Sequence, residues 1–293
     1  MSTGAITINN STFSGNSAGS GGAFYIDKGS LEFNNTTFAD NSATGQSGGG
    51  VVFLVDFDSS AEINNSLFLG NGTDCAIGFG GTFSGDNNIS DDASNSCGVT
   101  TTDLDVADFV GILQDNGGLT PTMTLLPGSS AIDPVNPVNP TTNDQRGLAA
   151  FNNRDVGAYE AQPPVVTAPA DATYEATGLL TSPALGMATV VDADDVGLTA
   201  SPSQAVDFPL GLTVVTWTAT DTLGFSDTAD QNVTIVDTTP PVVTPPADVN
   251  VPATGLMTVV NEGMATATDL VDSTLAPASN APASYPVGTT TIT

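Results

Sequence analysis

Residues 6–18, Ile-Thr-Ile-Asn-Asn-Ser-Thr-Phe-Ser-Gly-Asn-Ser-Ala, recur as residues 31–43, Leu-Glu-Phe-Asn-Asn-Thr-Thr-Phe-Ala-Asp-Asn-Ser-Ala. A looser third copy occupies residues 61–73, so the period is 25 residues (Phe13 to Phe38) and then 30 (Phe38 to Phe68). Each copy opens with the alternating apolar residues of a strand, and glycine-rich turns separate the copies. A strand-and-glycine repeat of this length predicts a β-solenoid.

Stacking of the copies explains their recurring asparagine and phenylalanine residues. Strands of neighbouring coils lie about 4.8 Å apart, so an amide can donate a hydrogen bond to the same position of the next coil. Phenylalanine rings at one inward position can stack in the same way. The alternative, that the asparagines act only as turn formers, is equally structural. We predict ladders at Asn10, Asn35 and Asn65 and at Asn16, Asn41 and Asn71, and an aromatic column at Phe13, Phe38 and Phe68.

Two sets of motifs in this part of the chain resemble known families. The recurring Phe-x-x-Asn, with a Gly-Gly-Ala-Phe segment between copies, resembles the repeats of polymorphic outer-membrane proteins and related right-handed parallel β-helix surface proteins. Residues 115–133, with Asp144-Gln-Arg-Gly147 and Asp155-Val-Gly-Ala-Tyr-Glu160, resemble the C-terminal portion of bacterial choice-of-anchor β-helix proteins, which are secreted or surface-bound. The resemblance implies a right-handed parallel β-helix over residues 1–100 and a closing segment over residues 101–161.

Cys75 and Cys97 lie 22 residues apart in a stretch rich in Gly, Asn, Ser and Asp. In an oxidising compartment they would form a disulfide worth about 3 kcal/mol in the chain-entropy account. The alternative is two free thiols in a cytosolic protein, because the spacing matches no metal motif. The choice-of-anchor resemblance also implies a cysteine pair at these places. We predict the disulfide.

The closing segment contains two of the three basic residues. Arg146 and Arg154 lie among several carboxylates, and in so acidic a chain this pattern favours structural clamps over catalytic groups. The same segment contains the one stretch whose apolar spacing favours a short helix, residues 103–113. Its predicted apolar side consists of Leu104, Phe109, Val110 and Leu113.

A second repeat organises the C-terminal half. Residues 163–171, Pro-Pro-Val-Val-Thr-Ala-Pro-Ala-Asp, return 77 residues later as residues 240–248, Pro-Pro-Val-Val-Thr-Pro-Pro-Ala-Asp, and three further motif pairs share this offset. In the first copy, residues 214–221 alternate apolar and polar side chains and place Trp217 in the core. Many short strands with Pro and Gly turns predict tandem immunoglobulin-like β-sandwiches.

The motifs of this repeat, among them Asp237-Thr-Thr-Pro-Pro-Val and Val215-Thr-Trp-Thr-Ala-Thr-Asp, resemble the hyalin repeat. That resemblance implies an immunoglobulin-like domain of extracellular, adhesion-associated proteins, complete over residues 162–238 and incomplete over residues 239–293. The second copy lacks counterparts of residues 217–236, which leaves an apolar face and a strand edge open. Two interpretations remain, a fragment of a longer chain or a sandwich completed in trans by a strand of a partner.

Composition excludes several classes of function. Three basic and 32 acidic residues give a net charge of −29, and the chain contains no histidine. No basic patch for nucleic acid can form, and histidine-dependent triads, acid–base pairs and zinc sites are excluded. The longest apolar run, residues 51–55, is far too short for insertion into a membrane.

The acidic residues suggest two kinds of chemistry. Asp192, Asp194 and Asp195 form an oxygen-rich turn that is a candidate Ca²⁺ site, although its spacing does not fit an EF-hand; the alternative is a solvated acidic surface. No other cofactor is indicated. Paired carboxylates such as Asp56 and Asp58 could serve glycoside hydrolysis, whereas a lyase would need an arginine or lysine base that Lys28 alone does not provide.

The interpretation that joins these features is a non-catalytic, extracellular or bacterial cell-surface protein. The β-helix would display a binding face for a glycan or a surface protein, and the sandwiches would form a stalk for adhesion. The second hypothesis is a polysaccharide-processing β-helix enzyme with accessory sandwiches. The start of the chain lacks a signal peptide, which favours a fragment of a larger secreted protein.

Overall fold

The computed structural model describes residues 5–45, 48–93, 96–97, 101–103, 105–134, 137 and 140–293, without the side chains of Thr101 and Thr102. The described chain is all-β, as the sequence predicts, and consists of strands, most of them short, with one four-residue 3-10 helix. Within the described ranges, no helix has the length and apolar character that a bilayer crossing requires. Two compact units form: unit 1 comprises Met1–Val166, Val190–Thr199 and Ala219–Asp227, and unit 2 comprises Thr167–Thr189, Ala200–Thr218 and Thr228–Thr293.

Unit 1 contains three parallel sheets built from the N-terminal repeats. Sheet A consists of β1 (Ala5–Asn9), β5 (Gly29–Asn34), β9 (Ser59–Asn64) and β12 (Thr82–Ser84). Sheet B consists of β2 (Thr12–Ser14), β6 (Thr37–Ala39), β10 (Leu67–Leu69), β13 (Ile89–Ser90) and β14 (Thr101–Thr102). Sheet C consists of β4 (Phe24–Ile26), β8 (Val52–Leu54) and β11 (Cys75–Ile77), and β3 (Ser17–Ala18) pairs with β7 (Ser42–Ala43).

The chain visits sheets A, B and C in turn and then returns to sheet A one strand further on. We call one such circuit through sheets A, B and C a pass. The strands of each pass pair with those of the next in a one-to-one register, so Phe13 lies beside Phe38 and Phe38 beside Phe68. Equivalent residues of the sequence repeat are therefore neighbours in space. Alternate strand side chains point between the sheets and, with Val51 and Cys97 from the connecting turns, form an apolar core. Its buried members are Ile26, Phe33, Phe38, Val51, Val52, Leu54, Ala61, Ile63, Phe68, Cys75 and Cys97.

The prediction of a helix over residues 103–113 is wrong. Only Val106–Phe109 forms a 3-10 helix, and the chain then continues as strand β15 (Val110–Gln114), antiparallel to β16 (Thr122–Leu125). Two β-branched residues and a glycine in β15 weaken its helix propensity, while pairing with β16 satisfies its backbone groups. Leu104, on the predicted apolar side, lies outside the described residues.

The C-terminal half consists of short strands and two long ones. The first copy contains β17 (Val165–Thr167), β18 (Ala172–Glu175), β19 (Thr189–Val191), β20 (Ser201–Pro202), β21 (Gly211–Thr220) and β22 (Ser226–Val236). Of these, β17 pairs with β19, and the others form a sheet of order β18-β22-β21-β20. The second copy contains β23 (Val242–Thr244), β24 (Met257–Thr258), β25 (Thr266–Thr268) and β26 (Tyr285–Pro286), and there β23 pairs with β25 and β24 with β26.

The pattern of strand pairing repeats with the same 77-residue offset as the sequence. The pair β17–β19 returns as β23–β25 at residues 77 positions later. The bridge between Thr181 and Phe208 returns between Thr258 and Tyr285. In both copies the threonine Oγ1 also accepts a hydrogen bond from the amide four residues earlier, at 2.9 and 3.1 Å. The two copies thus share one local architecture.

Candidate functional site

The predicted aromatic residues of the N-terminal repeats lie in one column. The rings of Phe13 and Phe38 are stacked with centroids 5.7 Å apart, and those of Phe38 and Phe68 with centroids 5.1 Å apart. Phe38 and Phe68 are fully buried, whereas Phe13, on the first described pass, is half-buried. The column fills the core and leaves no ring face for a ligand at its two inner members.

The predicted asparagines at the second corner form a ladder. Asn16 Nδ2 donates to Asn41 Oδ1 at 2.9 Å, and Asn41 Nδ2 donates to Asn71 Oδ1 at 3.1 Å. The amides of Asn41 and Asn71 also donate to the carbonyls of Phe13 and Phe38. These side chains therefore satisfy buried backbone groups between the passes, which is a structural task.

At the first corner the predicted residues have other partners. Asn10, Asn35 and Asn65 adopt left-handed backbone angles with φ near +50°, which asparagine tolerates better than most residues. Asn10 Oδ1 accepts a hydrogen bond from Thr141 Oγ1 at 2.5 Å, and Asn35 Oδ1 accepts one from the Thr141 amide at 3.1 Å. Asn65 Oδ1 accepts one from Asn87 Nδ2 at 2.9 Å. Asn10 and Asn35 are not bonded to each other among the described contacts.

The amide ladder lies one residue earlier than predicted at this corner. Asn34 Nδ2 donates to Asn9 Oδ1 at 3.0 Å, and Asn64 Nδ2 donates to Asn34 Oδ1 at 3.3 Å. Each repeat contains two adjacent asparagines, so the sequence pattern alone does not distinguish the turn former from the ladder residue. The turn formers have left-handed backbones, and the side chains of Asn10 and Asn35 contact Thr141 of the closing segment, whereas that of Asn65 contacts Asn87.

The predicted disulfide between Cys75 and Cys97 is present, and both cysteines are buried. Beside it lies a carboxyl group that sequence analysis missed. Asp74 is 1% exposed and accepts hydrogen bonds from Ser90 Oγ at 2.6 Å and Asn71 Nδ2 at 3.1 Å. Burial raises the pKa of Asp74 to about 7, against the lowering effect of these hydrogen bonds.

Arg146 is a buried clamp. Its Nε lies 2.7 Å from Asp144 Oδ2, and its Nη1 lies 2.7 Å from Asp194 Oδ1. The guanidinium also lies over the Tyr159 ring, 3.8 Å from the centroid, and Nη2 donates to the carbonyl of Glu160 at 2.5 Å. All three guanidinium nitrogens contact other groups of the protein, so none is left to bind a substrate.

Arg154 is buried as well, and its Nη1 lies 2.6 Å from Glu160 Oε2. Asp155, next in the chain, accepts hydrogen bonds from the amides of Asp133 and Ala161. Burial raises the pKa of Asp155, and the nearby Glu160 carboxylate raises it further. The ion pair and hydrogen bonds of these buried groups stabilise the closing segment.

The three carboxylates of the candidate Ca²⁺ turn point to different partners. Asp194 accepts hydrogen bonds from Tyr159 Oη and from the Gln162 amide in addition to its ion pair with Arg146. Asp192 Oδ1 caps its own turn, and Asp195 Oδ2 accepts two hydrogen bonds from Thr222. Among the described residues no group of three or more carboxylate, thiol or imidazole side chains is arranged to hold a metal.

Trp217, the predicted core residue of the first C-terminal copy, is 5% exposed. Its Nε1 donates to Gln231 Oε1 at 3.2 Å, and Gln231 Nε2 donates to the carbonyls of Ala170 and Leu185. The indole therefore fills the interior with its polar atom satisfied, as a buried tryptophan requires. It has no free ring face for a ligand.

Sheet C and its following turns contain three exposed aromatic residues and one, Phe53, that is only 7% exposed; we call Tyr25, Phe53, Phe57 and Phe79 the aromatic face. Tyr25, Phe57 and Phe79 expose 59%, 77% and 75% of their surface. Tyr25 and Phe53 are register partners, and their rings stack with centroids 5.7 Å apart. Exposed rings gathered in one place are typical of a binding surface.

Glycines of the third pass support the aromatic face. A Cβ at Gly78 would lie 3.2 Å from Phe53 Cζ, and one at Gly80 would lie 2.3 Å from the Phe57 ring. Phe57 therefore rests on the glycine backbone with its other side open to solvent. Phe79 lies between the two glycines, and its amide donates to the Val55 carbonyl at 3.0 Å. The rings are thus held on adjacent passes.

Carboxylates border the aromatic face. The amide of Gly29 donates to the Asp58 carbonyl at 3.0 Å, so the turn after β4 lies on the turn after β8. Asp56 Oδ1 accepts a hydrogen bond from the Phe57 amide at 2.7 Å, which holds that turn in shape. Lys28 Nζ lies 3.9 Å from Asp56 Oδ2, and both side chains are exposed. We call Asp27, Asp56 and Asp58 the acidic edge.

Sequence analysis missed the aromatic face, although a signal was present. Phe57 stands between two aspartates and Phe79 between two glycines. An aromatic residue inside such a turn sequence does not belong to a strand and is directed to solvent. Asp74 carried no comparable signal, because its burial results from contacts with Asn71 and Ser90 across the passes.

Comparison with known proteins adds no relative to this description. No protein-family model, no curated protein and no solved structure matches the chain. The β-helix and hyalin resemblances therefore stay hypotheses that rest on the motifs themselves.

Proposed function

We propose that this chain is a non-catalytic extracellular or cell-surface protein that binds a glycan or a surface protein. In this proposal residues 1–100 are a right-handed parallel β-helix, closed by residues 101–161, and the hyalin-like copies act as an immunoglobulin-like stalk. Parallel strands joined by crossovers take the right-handed form in about 98% of cases, which supports the assigned hand.

The observation that carries the proposal is the aromatic face. Soluble proteins seldom leave several large rings exposed side by side without a use for them. Here three rings are exposed, and Gly78 and Gly80 leave room for Phe53 and Phe57 above them. Such a surface binds a ligand through its large contact area. Display and adhesion require binding of this kind and no catalytic group.

The burial and pairing of the two arginine side chains also favour binding over catalysis. Arg146 and Arg154 are buried and paired with carboxylates. The Cys75–Cys97 disulfide agrees with an oxidising, extracellular compartment.

The second candidate function is polysaccharide cleavage. Asp56 and Asp58 border an exposed aromatic face, as the carboxylates of a glycoside hydrolase would border its substrate. Glycosidases need one carboxyl group with a raised pKa that reaches the substrate, and Asp74 and Asp155, whose pKa values burial raises, are inaccessible in the interior. This candidate is therefore the weaker one.

Incubation of the chain with acidic, neutral and amino-substituted polysaccharides tests the proposal. We expect retention on at least one polymer without new reducing or unsaturated ends, and loss of retention in the Phe57→Ala/Phe79→Ala double variant. Leu119→Ala, a fully exposed apolar residue outside the face, is the matched control and should be retained. New chain ends would support the enzyme instead, and retention unaffected by the double variant would reject the aromatic face.

A further inference from the structure

We propose that the aromatic face and its acidic edge bind a polysaccharide of cationic amino sugars; this rests on the proposed function and specifies its ligand. Three stacked turns form the site. The amide of Gly29 donates to Asp58, and the amide of Phe79 donates to Val55, so the turns around Asp27, Phe57 and Phe79 follow one another on adjacent passes.

The rings offer flat apolar surfaces with a common support. The exposed Tyr25 ring stacks on the buried Phe53 ring at an inclination of 27°, and the exposed Phe57 ring lies against the backbone of Gly80. A sugar ring presents a flat face of C–H groups that packs on such surfaces. A polymer of sugar rings can therefore occupy successive aromatic rings.

Charge complementarity selects the kind of sugar. The net charge of the chain is −29, and three carboxylates but one lysine border the rings. That lysine, Lys28, is already paired with Asp56. An anionic polysaccharide is repelled, whereas an ammonium group is attracted both by the carboxylates and by the faces of the aromatic rings.

A basic polypeptide is the competing cationic ligand. Its charges stand on flexible stems and need no flat surface, so it would depend on the carboxylates and little on the rings. An amino-sugar polymer needs both, because its rings stack while its ammonium groups pair with the acidic edge. The exposed rings of Tyr25, Phe57 and Phe79 favour the sugar.

The experiment measures binding of the full chain to a glucosamine hexamer at a pH where its amines are protonated. The N-acetylglucosamine hexamer keeps the backbone without the charge, and hexalysine keeps the charge without the sugar. We expect the glucosamine hexamer to bind at least about tenfold more tightly than either, and Phe57→Ala/Phe79→Ala to weaken it by about tenfold.

Charge variants complete the test. Asp27→Asn/Asp58→Asn should weaken the glucosamine hexamer and leave the acetylated hexamer unchanged. Asp105→Asn/Asp108→Asn removes two exposed carboxylates outside the face and should have little effect. The inference is overturned if the acetylated hexamer binds as tightly, if hexalysine binds equally well without dependence on the rings, or if both charge variants weaken binding alike.

Failure of this inference differs from failure of the proposed function. If the glucosamine hexamer does not bind while another polymer is retained through Phe57 and Phe79, the amino-sugar assignment is wrong and the proposed function stands. If no polysaccharide is retained at the aromatic face, both are wrong. An unchanged midpoint of urea unfolding in each variant shows that a lost contact, and not unfolding, causes the loss of binding.

Discussion

The ring of Phe38 stacks on the ring of Phe68 in the core, with centroids 5.1 Å apart and planes inclined by 19°. Both side chains are fully buried. We expect Phe38→Ala to lower the free energy of unfolding by about 3–5 kcal/mol, because the substitution leaves a cavity between two packed passes. Urea unfolding followed by fluorescence measures the loss.

Phe13 provides the matched comparison, because it occupies the same column but is half-buried. Phe13→Ala should cost clearly less than Phe38→Ala. Equal costs would contradict the stacked arrangement, in which burial and ring contacts grow toward the inner passes.

Removal of the disulfide should destabilise unit 1. The bond closes a loop of 22 residues, and the chain-entropy account assigns it about 3 kcal/mol. We expect a reductant to lower the melting temperature of the native chain. The Cys75→Ser/Cys97→Ser variant should melt at the lowered temperature with or without reductant. A native chain that is indifferent to reductant would contradict this expectation.

The buried Asp74 predicts a dependence of stability on pH. Its pKa rises from 3.8 to about 7 on folding because burial disfavours the charged form. The folded state therefore holds a proton that the unfolded state releases, so stability is full below about pH 4 and is lost as the pH rises through about 7. The rise corresponds to roughly 4 kcal/mol at most.

The Asp74→Asn variant isolates this contribution from the repulsion among the other carboxylates. It should match the native chain in acid and exceed it in stability at mildly alkaline pH. Unfolding midpoints measured in urea across this pH range provide the test. Parallel pH profiles of the two proteins would show that Asp74 does not change its protonation on folding.

Arg146 should be essential for the closing segment. Arg146→Ala leaves the buried carboxylates of Asp144 and Asp194 without a counter-charge, and we expect a loss of about 3–5 kcal/mol. Arg146→Lys keeps the charge but not the planar fork, so its loss should be smaller. Thermal unfolding of both variants measures the difference. A loss below about 1 kcal/mol in Arg146→Ala would contradict a buried clamp.

Much of the all-β architecture could be predicted from periodicity. The recurrence of Phe13, Phe38 and Phe68 in strand-like segments predicted that these residues would meet, and the structure places them in one column. The two cysteines allowed one pairing. The helix predicted over residues 103–113 was wrong because its apolar spacing did not account for pairing with Thr122–Leu125.

The prediction of the candidate site failed for a different reason. The Asn-Asn doublets predicted a ladder at the second asparagine, but Asn35 has a left-handed backbone and contacts Thr141, and Asn34 forms the ladder. The partners of the second asparagines lie between 22 and 131 residues away in the sequence. No local pattern contains that information.

By itself, the sequence determined that strands stack in register, because identical spacing brings identical residues together wherever passes pair. It also determined the strongly negative net charge of −29, from which we predict that the chain does not bind nucleic acid. Only the tertiary structure decided which side chains are buried. Asp74 is buried under neighbouring passes, whereas Phe57 packs on Gly80 and stays exposed. The physical reason is that exposure depends on the lengths of the turns between strands, which place the passes over one another and are not encoded in the periodicity of any single strand.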